Sequence, residues 1–138
     1  MFHYRRRVQF AETDLAGIVH FAWMFRYMEE AEHALWRAAG LSVVAPNSGL
    51  GWPRVSASFE FRSPLRFEDE FDVRVRLAGA TRRSLRYEHT IARGGTLIGT
   101  GTMVSVCVRD EGVGRMQPVG VPSDVVERLR AALDRNSG

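Results

Sequence analysis

E-T-D-L-A-G-I-V-H-F-A-W-M-F, Glu12 to Phe25, sets two acids and a glycine directly ahead of a long apolar run. An acid in such a place has two readings. Asp14 is either a turn or capping residue that accepts amide hydrogen bonds, or a reactive group beside a helix N-terminus, where unpaired amides carry about half a positive charge. These residues alone leave both open. Outward from the stretch, the pattern turns helical from about Phe21 to Ala39, and Gly40 supplies the stop. At 100° per residue, Met24, Met28, Ala31, Leu35 and Ala38 share one face, and Arg26, Glu30, His33 and Arg37 form the opposite stripe. Trp23, Phe25, Tyr27, Ala34 and Trp36 widen the apolar arc well past half the circumference, so the helix is expected inside a curved sheet.

Two acids of that helix stand out. Glu29 sits at the edge of the polar stripe. Glu32 falls inside the apolar arc, where a carboxylate needs a partner or water; either the helix is exposed there or Glu32 pairs with an arginine. His33 is expected to be solvated, and His3 and His89 carry no further signal.

The rest of the chain supplies a sheet. Residues 4–11 read as a first strand, and residues 55–62, 70–77, 84–93 and 97–108 alternate as strands do. Turn-like segments separate them, with Gly94-Gly95 marking a hairpin, and a loop rich in Gly, Pro and Asn occupies residues 45–53. The tail V-P-S-D-V-V-E-R-L-R-A-A-L opens on a Ser/Asp cap signal and continues at helical spacing. The order is strand, long helix, four antiparallel strands, short helix.

A chain of 138 residues that is 45% hydrophobic and 25% charged fits one soluble domain, residues 1–138, with a real core. The net charge is +3, and all 19 cationic residues are arginine. They are interspersed with 16 acids rather than gathered into a run, which favours small anionic phosphates over nucleic acid as partners. The one cysteine, Cys107, lies in an apolar stretch; it reads as a buried inert thiol suited to a reducing cytoplasm. No leader segment, membrane span, repeat or low-complexity tract is visible.

This order of elements, with F-A-E-T-D-L-A-G-I-V-H-F, resembles the hotdog-fold acyl-CoA thioesterases, in particular the 4-hydroxybenzoyl-CoA thioesterase family. The family pattern, an aromatic residue followed by two spaced acids, a glycine and a valine, is met by Phe10, Glu12, Asp14, Gly17 and Val19. P-L-R-F-E-D at 64–69, R-R-S-L-R-Y-E-H at 82–89 and the V-P-S-D tail are similar as well, so the likeness runs nearly end to end. It implies an α+β hotdog fold: a five-stranded antiparallel sheet wrapped around the long helix, with a short C-terminal helix. It implies a homo-oligomer, a dimer or a dimer of dimers (a homotetramer), with the active site between subunits.

The activity implied is hydrolysis of an acyl-CoA, aromatic or medium-chain, to free acid and CoA, with no metal, no separate cofactor, no nucleic acid and no membrane. By resemblance Asp14 is nucleophile or general base, Gly17 turns the backbone, and the amide of Phe21 polarises the carbonyl, as an oxyanion donor should. His20 stands where relatives carry an aromatic residue; it serves either in proton transfer or in packing. Glu29 and Trp52 are expected at the acyl pocket, and Arg82, Arg83 and Ser84 at the nucleotide phosphates; the other readings are a solvated hairpin end for the two arginines and, for Trp52, simple core packing, the commoner place for a tryptophan beside a loop. Other hotdog activities fit less well. A hydratase needs histidine five residues after the aspartate, where this chain has Val19, and the carrier-protein dehydratases carry H-F-P-G where this chain has His20-Phe21-Ala22-Trp23. A carrier-protein thioesterase or a non-catalytic acyl-CoA-binding protein remains as an alternative.

Overall fold

A computed structural model describes residues 1–45, 48–112 and 114–135. In chain order it contains β1 (Phe2–Arg7), a single 3-10 turn (Phe10–Glu12), α1 (Trp23–Ala38), β2 (Leu50–Gly51), β3 (Arg54–Phe61), β4 (Glu70–Ala80), β5 (Ser84–Arg93), β6 (Thr96–Val106), β7 (Val108–Asp110), β8 (Met116–Pro118) and α2 (Ser123–Arg135). Five strands form one antiparallel sheet in the order β1-β4-β5-β6-β3, which curves around α1. This is the α+β hotdog arrangement.

One row of the sheet shows how helix and sheet meet. Phe2, Val75, His89, Gly101 and Phe59 lie side by side across all five strands. A Cβ on Gly101 would run into the Met28 sulfur of α1 and the Ser58 carbonyl, so glycine is what lets the helix settle onto β6. Met28, Ala31 and Leu35 are then fully buried, each large side chain contributing about 1.5–3 kcal/mol. The buried face continues to Trp36 and Ala39, while Ala38 is exposed, contrary to the helical-wheel expectation. The burial line steps from Leu35 by four residues to Ala39, at the turn where Gly40 takes a positive φ of 75°.

Several boundaries differ from expectation. The first strand ends at Arg7 instead of Ala11, because the Glu12 carboxylate draws the Gln9 amide (2.9 Å) and bends residues 10–12 into a turn. The last long strand divides at Cys107, whose N–H goes to the Arg83 carbonyl (2.8 Å) and whose carbonyl accepts from Val119 (3.0 Å). Beyond it β7 joins β2 and β8 in a second, three-stranded sheet. Strands of two and three residues are too short to leave a periodic signal. Of the expected loop at 45–53, residues 46 and 47 lie outside the described residues. Cys107 is buried, which pushes its thiol pKa up, as an inert side chain requires.

Candidate active site

Residues 13–19 form a closed excursion pinned at its neck by a bridge between Thr13 and Val19. Inside it the Asp14 N–H donates to the Ile18 carbonyl (2.9 Å) and the Gly17 N–H to the Asp14 carbonyl (3.0 Å). Gly17 has φ +78° with nothing near a prospective Cβ, so it is glycine for its backbone conformation. Asp14 is exposed. Its Oδ1 accepts the Ala16 N–H (2.8 Å), so it is a turn acid, while Oδ2 has no partner among the described residues. It does not cap α1: Ala22 holds the N-cap position, without a side-chain bond.

The entry to α1 supplies a second free group. His20 N–H donates to the Glu12 carbonyl (2.9 Å), and the amides of Trp23, Met24 and Phe25 all find carbonyls three residues back (2.9–3.2 Å). The Ala22 N–H goes to Nδ1 of His20 (3.3 Å), whose ring tilts against that of Phe21. This bond requires Nδ1 to be unprotonated, so His20 serves the helix start as an acceptor. Of the amides from 20 to 25, Phe21 alone has no acceptor among the described residues. Asp14, Phe21 and Met24 line one side of a cleft of about 390 Å³, and Phe61 to Pro64, just after β3, line the other. Asp14 and Phe21, the residues with an unengaged carboxylate oxygen and an unengaged N–H among the described residues, thus line the same opening.

Beneath this loop lies a polar cluster that the sequence pattern did not reveal beyond Glu12 itself. Arg6 of β1 and Tyr27 of α1 meet the buried Glu12, and Glu30 of α1 joins the cluster through Arg6. Burial works against the charge of Glu12, but the Arg6 guanidinium, the Gln9 amide and the Tyr27 hydroxyl outweigh it and hold the carboxyl below its ordinary value. Burial and the neighbouring Glu12 carboxylate push the Tyr27 phenol well above its ordinary range.

The other expected site residues lie elsewhere. Glu29 and Trp52 line a second cleft of about 430 Å³, together with Glu32, Trp36 and Arg54. Trp52 meets Trp36 edge-on, with ring centroids 5.0 Å apart. Arg82 and Arg83 occupy the exposed turn between β4 and β5, and neither guanidinium has a carboxylate partner among the described residues. Ser84 is tied to Thr81 by a 2.6 Å hydroxyl bond. The register sets these groups at one end of the sheet, since Ser84 pairs with Val106 and Arg54 with Ser105; Phe61, paired with Gly99, marks the opposite end, where Asp14 lies. A single chain therefore does not bring Trp52, Arg82, Arg83 and Ser84 to Asp14.

Glu32 is 2% exposed and meets Arg54 (2.6 Å), so of the two expected arrangements it takes the arginine pair and not the exposed helix end. His89, which carried no signal, is its second partner. Nε2 stands 2.7 Å from the Glu32 carboxylate, within ion-pair reach though not aligned as a hydrogen bond. Its inward position follows from the alternation of β5, Leu85-Tyr87-His89-Ile91, which would have identified it as a core histidine. Among the described residues no group of three or more His, Cys, Asp or Glu side chains is disposed to hold a metal ion, and no helix is long and apolar enough to cross a membrane.

Comparison with known proteins gives a consistent picture. The profile of the thioesterase-like superfamily matches residues 8–129. A hypothetical protein from Aquifex aeolicus, of known crystal structure, is 31% identical, with a TM-score of 0.85 over 94% of this chain and 99% of that one. A 1,4-dihydroxy-2-naphthoyl-CoA hydrolase of Nostoc punctiforme is 25% identical over 132 residues, 93% of this chain and 86% of its own. The structure of a gentisyl-coenzyme A thioesterase is 28% identical, with a TM-score of 0.81 over 90% of this chain and 98% of that one.

Proposed function

The chain belongs to the thioesterase-like superfamily and is a thioester hydrolase; from that premise we propose that it cleaves an acyl-CoA to the free acid and CoA at a site completed by a second copy of the chain. The observation that carries the reading is that Asp14, with a carboxylate oxygen free among the described residues, and Phe21, with an N–H free among them, line one cleft. Attack on a thioester carbonyl puts negative charge on its oxygen. An amide at a helix N-terminus is a preorganised donor for that charge, and the carboxylate supplies the attack. Asp14 either adds to the carbonyl itself, expelling the CoA thiolate and leaving a mixed anhydride for water to open, or takes the proton of an attacking water. Each route returns a free carboxylate.

The second copy follows from topology. β3 is one of the two edges of the sheet, bonded only to β6, and its outer face has no strand partner among the described residues. Its eight residues span about 25 Å from the Arg54 end to the Phe61 end. Antiparallel pairing of two such edges sets the Arg54 end of one copy beside the Phe61 end of the other. Glu29 and Trp52 of one subunit then face Asp14 of its partner, and the unpaired Arg82 and Arg83 lie where the nucleotide phosphates of CoA emerge. The apolar walls, Phe21, Met24 and Phe61 on one side and Trp36 and Trp52 on the other, fit an aromatic acyl group, as do the aromatic acyl-CoAs that two of the relatives are named for. The single buried Cys107 suits a reducing, cytoplasmic setting.

The test is a thiol-release panel of aromatic and aliphatic acyl-CoAs, with acyl carrier proteins included, run alongside sedimentation. Turnover of aromatic acyl-CoAs by a dimer or a dimer of dimers is expected. No release from any member sinks the reading; a fully active monomer removes the shared site.

A further inference from the structure

We infer that Glu12, clamped by Arg6, is the positioning residue of this site: its side chain holds the neck of the Asp14 loop while its main chain holds the approach to Phe21. The inference rests on the reading of Asp14 and Phe21 given above.

Glu12 is 3% exposed, and both of its carboxylate oxygens are engaged. Oε1 accepts from the Gln9 N–H (2.9 Å), the Tyr27 hydroxyl (2.7 Å) and Nη1 of Arg6 (2.8 Å), and Oε2 accepts from Nη2 of Arg6 (2.5 Å). Two residues along the chain comes Asp14. The Glu12 carbonyl meanwhile takes the N–H of His20 (2.9 Å), the residue immediately before the free amide. The two ends of the 13–19 excursion therefore both converge on Glu12, and a shift of Glu12 moves attacking group and oxyanion donor relative to each other.

Arg6 ties this point to the rest of the fold. Its guanidinium, over the face of the Tyr27 ring at 4.9 Å, also reaches Glu30 on α1 through Nε (2.9 Å) and Nη2 (3.2 Å), and Glu30 is further held by the Tyr4 hydroxyl (2.9 Å). Strand, loop and helix are thus joined through one planar cation whose fork fixes direction as well as distance. Stability alone does not call for such a group, because a well-packed apolar side chain of similar volume stabilises a buried place as well or better. What a fully engaged ion pair adds is a single geometry, and catalytic groups must be held to about 0.5 Å.

The experiment is a kinetic cycle on acyl-CoA hydrolysis. Glu12→Gln keeps the volume and removes the charge. It is expected to lower kcat by about 10- to 100-fold, the effect of misplacing reacting groups by up to an ångström, with KM little changed. Placed on an Asp14→Asn background it should lower the residual rate far less, because one of the two groups it aligns is already lost. Tyr27→Phe, which removes one bond and leaves the Arg6 pair, should lower kcat several-fold with an unchanged melting temperature. Wild-type kcat in folded Glu12→Gln, or the same factor on both backgrounds, overturns the inference and leaves the thioesterase reading intact. If Glu12→Gln does not fold, wild-type kcat in Tyr27→Phe overturns it equally. A wild-type protein that cleaves no thioester overturns both.

Discussion

Asp14 and Glu32 flank the same helix, one ahead of its first turn and one on its third, and their surroundings are opposite. Asp14 is exposed, spends one oxygen on a turn N–H and keeps the other free among the described residues, in the cleft that Phe21 also lines. Glu32 is buried, with Arg54 on one oxygen and His89 at the other. A buried carboxylate tied to an arginine and crowded by a core histidine is closed to other partners; an exposed carboxylate with a free oxygen at a cleft is open to a substrate. On the proposed reading, availability rather than burial marks the chemical acid among those on or next to α1.

The contrast is broken most directly at Asp14. Asp14→Asn is nearly isosteric and is expected to lower kcat/KM by about 1,000-fold or more, the order of effect seen on losing a nucleophile or its base, with no change in urea-unfolding midpoint. Retained activity would put the reactive group elsewhere. Glu32→Gln tests the other half. It removes the charge facing a quarter-exposed Arg54 and should destabilise by about 3 kcal/mol, the lower end for breaking a buried pair, read from the same urea curves. A Glu32→Gln protein of wild-type stability would undo the structural assignment. The smallest effect sharpens the account of substrate rather than of chemistry. Arg82→Ala combined with Arg83→Ala should raise KM for CoA esters by about tenfold, for one or two lost charge-assisted phosphate contacts, and spare short pantetheine thioesters. Equal losses on both substrates would argue against a phosphate role.

Much of this molecule was legible along the chain. The 3.6-residue period of α1, the alternation of β3 to β6 and the glycine at 17 follow from rules that act over a few residues, and the motif from Phe10 to Val19 located the loop. Arg6 was not legible, because an arginine in a basic strand looks like any solvated cation until β1 is laid beside α1. The alternation of β5 turns His89 inward, but its partner Glu32 is not legible until the curvature of the sheet brings α1 to it. β2, β7 and β8 were missed because two or three residues hold no period.

By itself, then, the sequence determined the elements, the apolar face that must be covered, and the presence of an acid ahead of a helix N-terminus, all consequences of local geometry and hydrophobic burial. Only the tertiary structure decided which acid is free and which is paired, that Phe21 alone of its neighbours has no acceptor among the described residues, and that Asp14 and the Arg82 turn stand at opposite ends of the sheet. Those outcomes depend on which groups strand order and register bring within a few ångströms, and hydrogen bonds and ion pairs between distant segments leave no period in the chain.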